Sequence, residues 1–261
     1  MAGEREFRLS ERLEMIASHI REGESAADIG TDHGYIPIRL LSGHVTDRVI
    51  LTDINEGPLI KARNNFRRWL PGTEPELRQG PGLSVLAPGE ADAVIIAGMG
   101  GILISRILED DPGIVAGTRR FILQPRNHSF TLREYLRGMK DHVITDEEIA
   151  LEAGRYCEII TLTRKDAVSE EEGELVRKAA ELEKHLDLEQ RIYDELPVMH
   201  ALTGRYRDYL EYKSRTEIRV IEKILSHGRS AHADSRRLRA EQRMMAFRKI
   251  KAAQERMAEN R

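Results

Sequence analysis

Acidic residues and glycines alternate in one short stretch near the start of the chain, where residues 28–34 read D-I-G-T-D-H-G. An apolar run precedes this stretch, and a second apolar run ends at Asp53. Glycines let a backbone pass close to a ligand, and a carboxylate at the tip of the second strand can accept hydrogen bonds from ribose hydroxyls. The spacing therefore predicts one half of a nucleotide-binding α/β unit.

The same stretch departs from the glycine pattern that binds dinucleotides. A G-x-G-x-x-G motif starting at Gly30 would need glycine at positions 32 and 35, where the chain has Asp32 and Tyr35. A second carboxylate would repel a pyrophosphate, but it suits a ligand that carries an ammonium and a sulfonium group. S-adenosylmethionine is such a ligand, so the sequence predicts a methyltransferase, and a nicotinamide dehydrogenase is a poor alternative.

Three later segments follow predicted strands and add candidate site residues. They read G-P-G at 80–82, A-G-M-G-G at 97–101 and Q-P-R-N-H at 124–128. The glycines of the second segment leave space free of side chains where a ligand would lie. In the third segment, the amides of Gln124 and Asn127 could form hydrogen bonds with a base edge. A plain tight turn at 80–82 and surface positions for His33 and His128 stay open alternatives. No cysteine or histidine cluster has metal-ligand spacing, so no metal site is expected.

Strand-like and helix-like runs alternate through the first two thirds of the chain. The strand candidates are 26–30, 49–53, 76–79, 93–97 and 121–124, and the helical patterns are 37–41, 58–70, 102–108 and 132–139. Alternation of this kind predicts a largely parallel sheet covered by helices on both faces. Runs at 143–150 and 156–163 predict a terminal antiparallel hairpin, which is usual in S-adenosylmethionine-dependent methyltransferases. We expect residues 1–166 to form a Rossmann-like α/β methyltransferase domain.

Residues 167–261 are expected to form a helical, coiled-coil-like domain, because the strand signal stops and charged residues dominate. A four–three spacing predicts a first helix that Pro197 ends. A second helix should end at Gly228, and a third should start near Asp234. The seam of the first helix is Leu175, Ala179, Leu182, Leu186, Tyr193 and Leu196, and the second carries Leu210, Ile218, Ile221 and Leu225.

Bulk composition limits the remaining classes. The chain has 261 residues, a net charge of −3 and a single cysteine, Cys157, which is expected to pack in a strand. Its N-terminus lacks the apolar core of a signal peptide, and no apolar run approaches the length of a membrane span. We therefore expect a soluble, cytoplasmic protein, and we favour a monomer. Any surface that binds nucleic acid must be a local concentration of basic residues.

Four motifs together resemble a known family. They are A-D-I-G-T-D-H-G-Y-I-P at 27–37, T-D-I-N-E-G-P-L at 52–59, I-A-G-M-G-G at 96–101 and L-Q-P at 123–125. In order and spacing they resemble the bacterial tRNA (adenine-22, N1)-methyltransferase family over residues 9–163. The resemblance implies a class I fold with a coiled-coil-like C-terminal domain. It also implies transfer of a methyl group from S-adenosylmethionine to N1 of adenine 22 in tRNA.

The resemblance also assigns roles to single residues. It implies that the cofactor is bound by Asp28, Gly30, Asp32, His33, Gly34, Asp53, Ile54 and Gly98. Gly82 is added because the neighbouring Pro81 differs from the family pattern, as described below. Beneath the reaction centre the resemblance implies Gly98, Met99 and Gly100, and the amide chemistry of Gln124 and Asn127 adds those two residues to the expected reaction centre. Family members commonly have an acidic or amide residue where this chain has Pro81, which cannot donate a hydrogen bond, so the backbone beside it is expected to serve instead.

A tRNA substrate requires basic surfaces on a slightly acidic chain. The candidates are Arg63, Arg67, Arg68, Arg126, Arg133, Arg137 and Lys140, with Arg236, Arg237, Arg239, Arg243, Arg248, Lys249 and Lys251 in the C-terminal tail. For the first three, a merely solvated helix face is an equal alternative. Two other functions also stay open: methylation of another RNA position or a small molecule, and RNA binding without catalysis.

Overall fold

The computed structural model describes residues 7–188, 195, 206–226 and 231–259. The chain divides into two compact units, Met1–Gly173 and Glu174–Arg261. The first unit contains a seven-stranded sheet and the second is built from helices. This combination confirms the predicted fold class.

The sheet of the first unit has the strand order β3-β2-β1-β4-β5-β7-β6. Strands β1 to β5 are parallel, whereas β7 runs antiparallel to both β5 and β6. The predicted strands and the terminal hairpin are therefore confirmed. The strands are β1 (Ala26–Ile29), β2 (Val49–Asp53), β3 (Glu76–Gln79), β4 (Ala93–Met99), β5 (Arg120–Pro125), β6 (His142–Glu152) and β7 (Arg155–Arg164).

Helices cover both faces of this sheet. They are α1 (Glu11–Ser18), α2 (Tyr35–Ser42), α3 (Glu56–Trp69), α4 (Gly101–Asp110), α5 (Pro112–Gly117) and α6 (Ser129–Arg137). Ser10 caps α1, since its side chain accepts a hydrogen bond from the backbone N–H of Leu13. The short helix α5 was not predicted, because two glycines among its six residues weaken any helical pattern.

Two apolar clusters, one on each face, hold the sheet and helices together. One includes Val94, Ile96 and Phe121, and the other includes Ile95 and Ile122. Successive residues of β4 and β5 enter opposite clusters, which explains why these strands read as unbroken apolar runs. The central strands are thereby fixed, and the loops at their carboxyl ends have a rigid base.

Helices α7 (Glu170–Leu186), α8 (Tyr206–Ser226) and α9 (Ala231–Glu259) make up the rest of the described chain. Ala179, Leu182 and Leu186 are buried, which confirms the middle of the predicted seam, whereas Leu175 is 37% exposed. In α8, Leu210 is buried but Ile218 and Leu225 are exposed. The predicted seam residues Tyr193 and Leu196 and the helix ends at Pro197 and Gly228 lie outside the described residues. Within the described ranges, no helix is long and apolar enough to cross a membrane.

Candidate functional site

Two cavities open at the carboxyl ends of the parallel strands, where strand order reverses between β1 and β4. The larger has a volume of about 800 Å³ and the smaller about 440 Å³. Gly30, Asp53 and Met99 line both. Ligands of open α/β sheets bind at this position, because adjacent loops diverge there and leave a crevice.

The loop after β1 is held in place by β2. The backbone N–H groups of Gly30 and Thr31 each donate a 2.9 Å hydrogen bond to the carbonyl oxygen of Thr52. Gly30 and Gly34 have φ values of +72° and +68°, in the left-handed region that glycine adopts at little cost. Asp32 has a φ of 48° in the same region. Its side chain consequently lies on the wall of the larger cavity.

Asp28 lies beneath this loop as a buried carboxyl group, only 5% exposed. Thr31 Oγ1 donates a 2.6 Å hydrogen bond to its Oδ2. Burial raises the pKa of Asp28 to about 6; the Thr31 hydrogen bond opposes the rise and nearby Asp53 adds to it. A buried carboxyl group with a raised pKa on a cavity wall is a candidate for binding a cation, because a bound cation can offset the cost of burying its charge.

We expect Asp28→Asn to raise the free energy of unfolding at pH 7.5. The folded-state pKa exceeds the unfolded value of 3.8, so ionisation destabilises the folded protein increasingly from about pH 4 to 6 and constantly above that. Removing the charge should therefore stabilise the protein by about 1–3 kcal/mol at pH 7.5 and much less at pH 4. Urea unfolding at both pH values measures this, with the exposed Asp47→Asn as control. Equal stability of wild type and variant at pH 7.5 would contradict the prediction.

Asp53 ends β2 and borders both cavities. Its Oδ1 accepts a 2.9 Å hydrogen bond from the backbone N–H of Asn55, which orients the carboxylate. Ile54 follows as a 62% exposed apolar side chain on the wall of the smaller cavity. An apolar surface beside an oriented carboxylate is suited to a purine nucleoside, because the base can pack on the apolar surface while the ribose hydroxyls bond to the carboxylate.

The G-P-G segment is both a turn and a cavity wall. Gly80, Pro81 and Gly82 all line the smaller cavity, and the Pro81 carbonyl accepts a 2.7 Å hydrogen bond from Ser84 Oγ. Gly82 has a φ of +52°, which a side chain would make unfavourable. Pro81 has no backbone N–H to donate, so apart from its carbonyl it contributes only the apolar surface of its ring to the wall.

The glycines at the end of β4 and the start of α4 serve two different purposes. A side chain at Gly101 would collide with the backbone of His128. The backbone N–H of Gly101 donates a hydrogen bond to the Asn127 carbonyl oxygen. The absence of a side chain at Gly101 therefore allows the segments that follow β4 and β5 to lie side by side. Gly98 instead has a φ of +77°, and a Cβ there would meet no described atom within 4 Å. Gly98 thus leaves open space in the larger cavity, whose wall it forms.

The two predicted amides have different positions. Gln124 lines the larger cavity but is only 2% exposed. Its Oε1 accepts a 3.1 Å hydrogen bond from Arg12, and its Nε2 donates a hydrogen bond to the Pro125 carbonyl oxygen. Asn127 is exposed, with its Oδ1 3.0 Å from His128 Nδ1. Arg12 also forms a 2.7 Å ion pair with Glu152. Arg12 and Glu152 line the larger cavity but belong to no sequence motif, so neither was predicted as a site residue.

His33 lies at the edge of the larger cavity with its side chain 42% exposed. Its ring stacks on Tyr35, with centroids 5.4 Å apart and an interplanar angle of 10°. Asp32 Oδ2 lies 3.4 Å from His33 Nε2. The two rings form a flat, partly exposed surface beside the acidic loop.

One of the predicted RNA-binding arginines is buried in ion pairs, so that prediction is wrong. Arg133 has no exposed side-chain surface and pairs with Glu147 at 2.6 Å and Glu158 at 2.8 Å. Arg243 also pairs with two acids, Glu195 and Glu217, but its side chain is 23% exposed, so its role stays a prediction. Several other candidates are exposed, namely Arg63, Arg67, Arg68, Arg126, Arg137, Lys140, Arg236, Arg239, Arg248 and Lys249.

Comparisons with known proteins agree with this geometry. Residues 9–160 match a family model described as a methyltransferase domain. The Bacillus subtilis (strain 168) tRNA (adenine(22)-N(1))-methyltransferase is 32% identical over 239 residues, which cover 85% of this chain and 99% of that protein.

Solved structures extend the likeness to both units. The crystal structure of the B. subtilis M1A22 tRNA methyltransferase TrmK has 26% identity and a TM-score of 0.74, covering 94% of this chain and 99% of that one. A Streptococcus pneumoniae structure in complex with S-adenosyl-L-methionine has a TM-score of 0.72 over 93% of this chain and 99% of that one; at 24% identity it shows the shared fold. The chain therefore belongs to the tRNA (adenine(22)-N(1))-methyltransferase family.

Proposed function

We propose that this protein transfers a methyl group from S-adenosylmethionine to N1 of adenine 22 in tRNA. The observation that carries the proposal is the pair of cavities sharing Gly30, Asp53 and Met99 in a chain of this family. Two adjoining cavities of unequal size match two ligands that must meet at one point, a cofactor and a nucleotide.

The residues present fit a cationic nucleoside cofactor. The smaller cavity combines the oriented Asp53 carboxylate with the exposed Ile54 and the backbone of Gly82, which suits a ribose and an adenine. We propose that Asp28, Asp32 and the loop of Gly30, His33 and Gly34 hold the charged amino-acid end. When bound, S-adenosylmethionine supplies an electrophilic methyl group on a sulfonium. Carboxylates favour such a ligand over a pyrophosphate, because they attract its positive charge.

The chemistry requires positioning rather than proton removal. Adenine N1 carries an in-plane lone pair, so the protein has only to align the reacting atoms and exclude water. The product ring is positively charged, and oxygen atoms directed towards it would stabilise that charge as it develops. We propose that Gly98 and Met99 form the floor under the reacting atoms. Gln124 supports the wall through Arg12, and Asn127 contacts the nucleotide from outside.

Adenine N1 lies on the Watson–Crick edge, so the target base must leave its pairing or tertiary contacts before it reacts. The larger cavity, at about 800 Å³, has room for a nucleoside. We propose that the stacked rings of His33 and Tyr35 border the path of the base. The chain has no Asn-Pro-Pro-aromatic motif after β4, which many N-methyltransferases use to hold an extruded base.

The direct test is incubation of the protein with tRNA and methyl-labelled S-adenosylmethionine, followed by mapping of the modified base. We expect N1-methyladenine at position 22, and no product on a matched tRNA with guanine there. Label at another nucleotide would replace this function with methylation of a different site. Absence of label despite tRNA binding would favour a non-catalytic RNA-binding protein.

We further propose that residues 167–261 form a domain that holds tRNA, because α9 carries exposed arginines on a scaffold that the cofactor does not need. Contacts to phosphates need Lys and Arg but carry no sequence information. Arg236, Arg239 and Arg248 are exposed, whereas Arg237 pairs with Glu241 at 3.3 Å. The exposed residues are therefore the ones to test. The monomeric state and the cytoplasmic location stay predictions.

We expect the double variant Arg236→Glu, Arg239→Glu to bind tRNA more weakly while its S-adenosylmethionine affinity stays unchanged. Each lost phosphate contact reduces the slope of log K against log[salt] by about 1, so the slope should flatten by up to about 2. The matched control is Arg207→Glu, Arg215→Glu on α8, where both arginines lie near Glu211. Equal tRNA binding by test and control variants at two salt concentrations would place the tRNA surface elsewhere.

A further inference from the structure

His19, Asp146 and Glu148 converge on the α1 side of the sheet, away from both cavities. His19 follows the last turn of α1, and the two acids lie on β6. One ligand atom from each residue lies within 4.8 Å of the other two. Because 126 positions separate His19 from the nearer acid, no spacing motif could have indicated this group.

A β-bulge turns the face that the two carboxylates share towards α1. The pairing of β6 with β7 shifts between Ile144 and Asp146, and Thr145 is the extra residue. After the bulge, Asp146 and Glu148 share the face towards α1, and Glu147 faces Arg133 on the opposite side. Bulges commonly re-aim side chains in this way. Without this one, the acidic pair would not meet His19.

The imidazole of His19 is buried and oriented into this group. Its side chain is 9% exposed, and Thr161 Oγ1 lies 3.0 Å from Nδ1. Glu148 Oε2 lies 3.4 Å from Nε2, yet Nε2 is buried and no described atom completes a hydrogen bond to it. In the tautomer that donates the Nδ1 proton to Thr161, the Nε2 lone pair faces the Glu148 carboxylate, and Asp146 Oδ2 lies 3.8 Å from Nδ1. In that tautomer the two electron-rich atoms repel each other unless a cation lies between them.

We propose that His19 Nε2, Asp146 and Glu148 bind a divalent transition-metal ion, for which Zn²⁺ is the probe. One imidazole, two carboxylates and a water complete a four-coordinate site. Tetrahedral ligands about 2.0–2.1 Å from zinc lie roughly 3.3 Å apart, close to the observed 3.4 Å between Nε2 and Oε2. In the metal-bound form, Nδ1–H would donate to Thr161 Oγ1, 3.0 Å away, as the outer hydrogen bond that fixes the metal-binding tautomer.

The ion would cross-link the end of α1 to β6. Helix α1 carries Arg12, which lines the larger cavity and pairs with Glu152 near the end of the same strand β6. A structural ion at one end of α1 and an ion pair near the other would fix the helix on the sheet at two points. We therefore expect the metal to stabilise the fold without taking part in methyl transfer.

The test is calorimetric titration of the chelator-treated full chain with Zn²⁺ at pH 7.5, with Mg²⁺ as the control ion. We expect one equivalent of Zn²⁺ to bind the wild type at least tenfold more tightly than His19→Gln, Asp146→Asn or Glu148→Gln. The exposed His185→Gln is the matched control and should bind like the wild type. Zn²⁺ should raise the Tm of the wild type and the control but not of the three site variants.

Two results would overturn the proposal. One is Zn²⁺ affinity that is equal in the wild type and the three site variants, which would place the ion elsewhere. The other is no binding by the wild type, which would make a proton on His19 the cation that the carboxylates share. Should Asp146→Asn fail to fold, Glu148→Gln still decides, because the Glu148 side chain is 37% exposed and tolerates an isosteric amide.

Discussion

Gly30→Val is expected to abolish S-adenosylmethionine binding, lowering affinity by at least about 100-fold, while the protein stays folded. Two effects of the β-branched side chain add together. Gly30 has a φ of +72°, where a residue with a side chain pays about 1–3 kcal/mol. A Cβ there would also collide with the terminal methyl group of Met99, which would have to move into one of the cavities. Titration calorimetry with S-adenosylmethionine measures the loss.

The matched control for this variant is Gly72→Val. Gly72 has a φ of +90° and open space around its Cβ position, so it carries the backbone cost without the collision. Circular dichroism should show both variants folded, and only Gly30→Val should lose the ligand. Similar affinities for the two variants would mean that the loop after β1 is a turn with no part in binding.

Asp53→Ala is expected to weaken S-adenosylmethionine binding by tenfold or more. The proposed role of this carboxylate is to accept hydrogen bonds from two ribose hydroxyls, and a hydrogen bond to a charged group contributes about 1.5–3 kcal/mol. Asp53→Asn should lose less, because an amide oxygen can still accept from the Asn55 N–H. Titration of both variants separates the loss of charge from the loss of loop geometry.

Glu56→Ala provides the charge-matched control for Asp53. Glu56 is an exposed acid in the first turn of α3, three residues after Asp53. Its removal changes the net charge equally but should leave affinity unchanged. If Asp53→Ala binds S-adenosylmethionine as Glu56→Ala does, Asp53 has no place in the site.

The sheet could be predicted because burial on both faces leaves a strong signal in the sequence. Runs such as 93–96 are apolar at every position, and glycine or acidic residues end them at the cavity edge. The fold then follows from the alternation of strands and helices. Residues at strand ends, such as Asp53 and Gly98, could be located for the same reason, since the carboxyl ends of parallel strands share one edge.

Pairing between distant segments could not be predicted in the same way. Arg133 looks like one more basic residue on a helix, and only the β6–β7 hairpin shows that Glu147 and Glu158 bury it. Arg12 reaches the larger cavity because Gln124 and Glu152 hold it there. The sequence does not show whether a charged side chain is solvated or paired with a carboxylate, so its partner can be identified only from the structure.

Met99 forms part of the wall of both cavities, and this shared wall has a thermodynamic consequence. A methionine side chain is unbranched and changes rotamer easily, so a ligand that fixes Met99 from one side also sets the shape of the other side. The two occupants of the site then have linked affinities. Linkage is reciprocal, so the factor by which the cofactor changes nucleotide affinity equals the factor by which the nucleotide changes cofactor affinity.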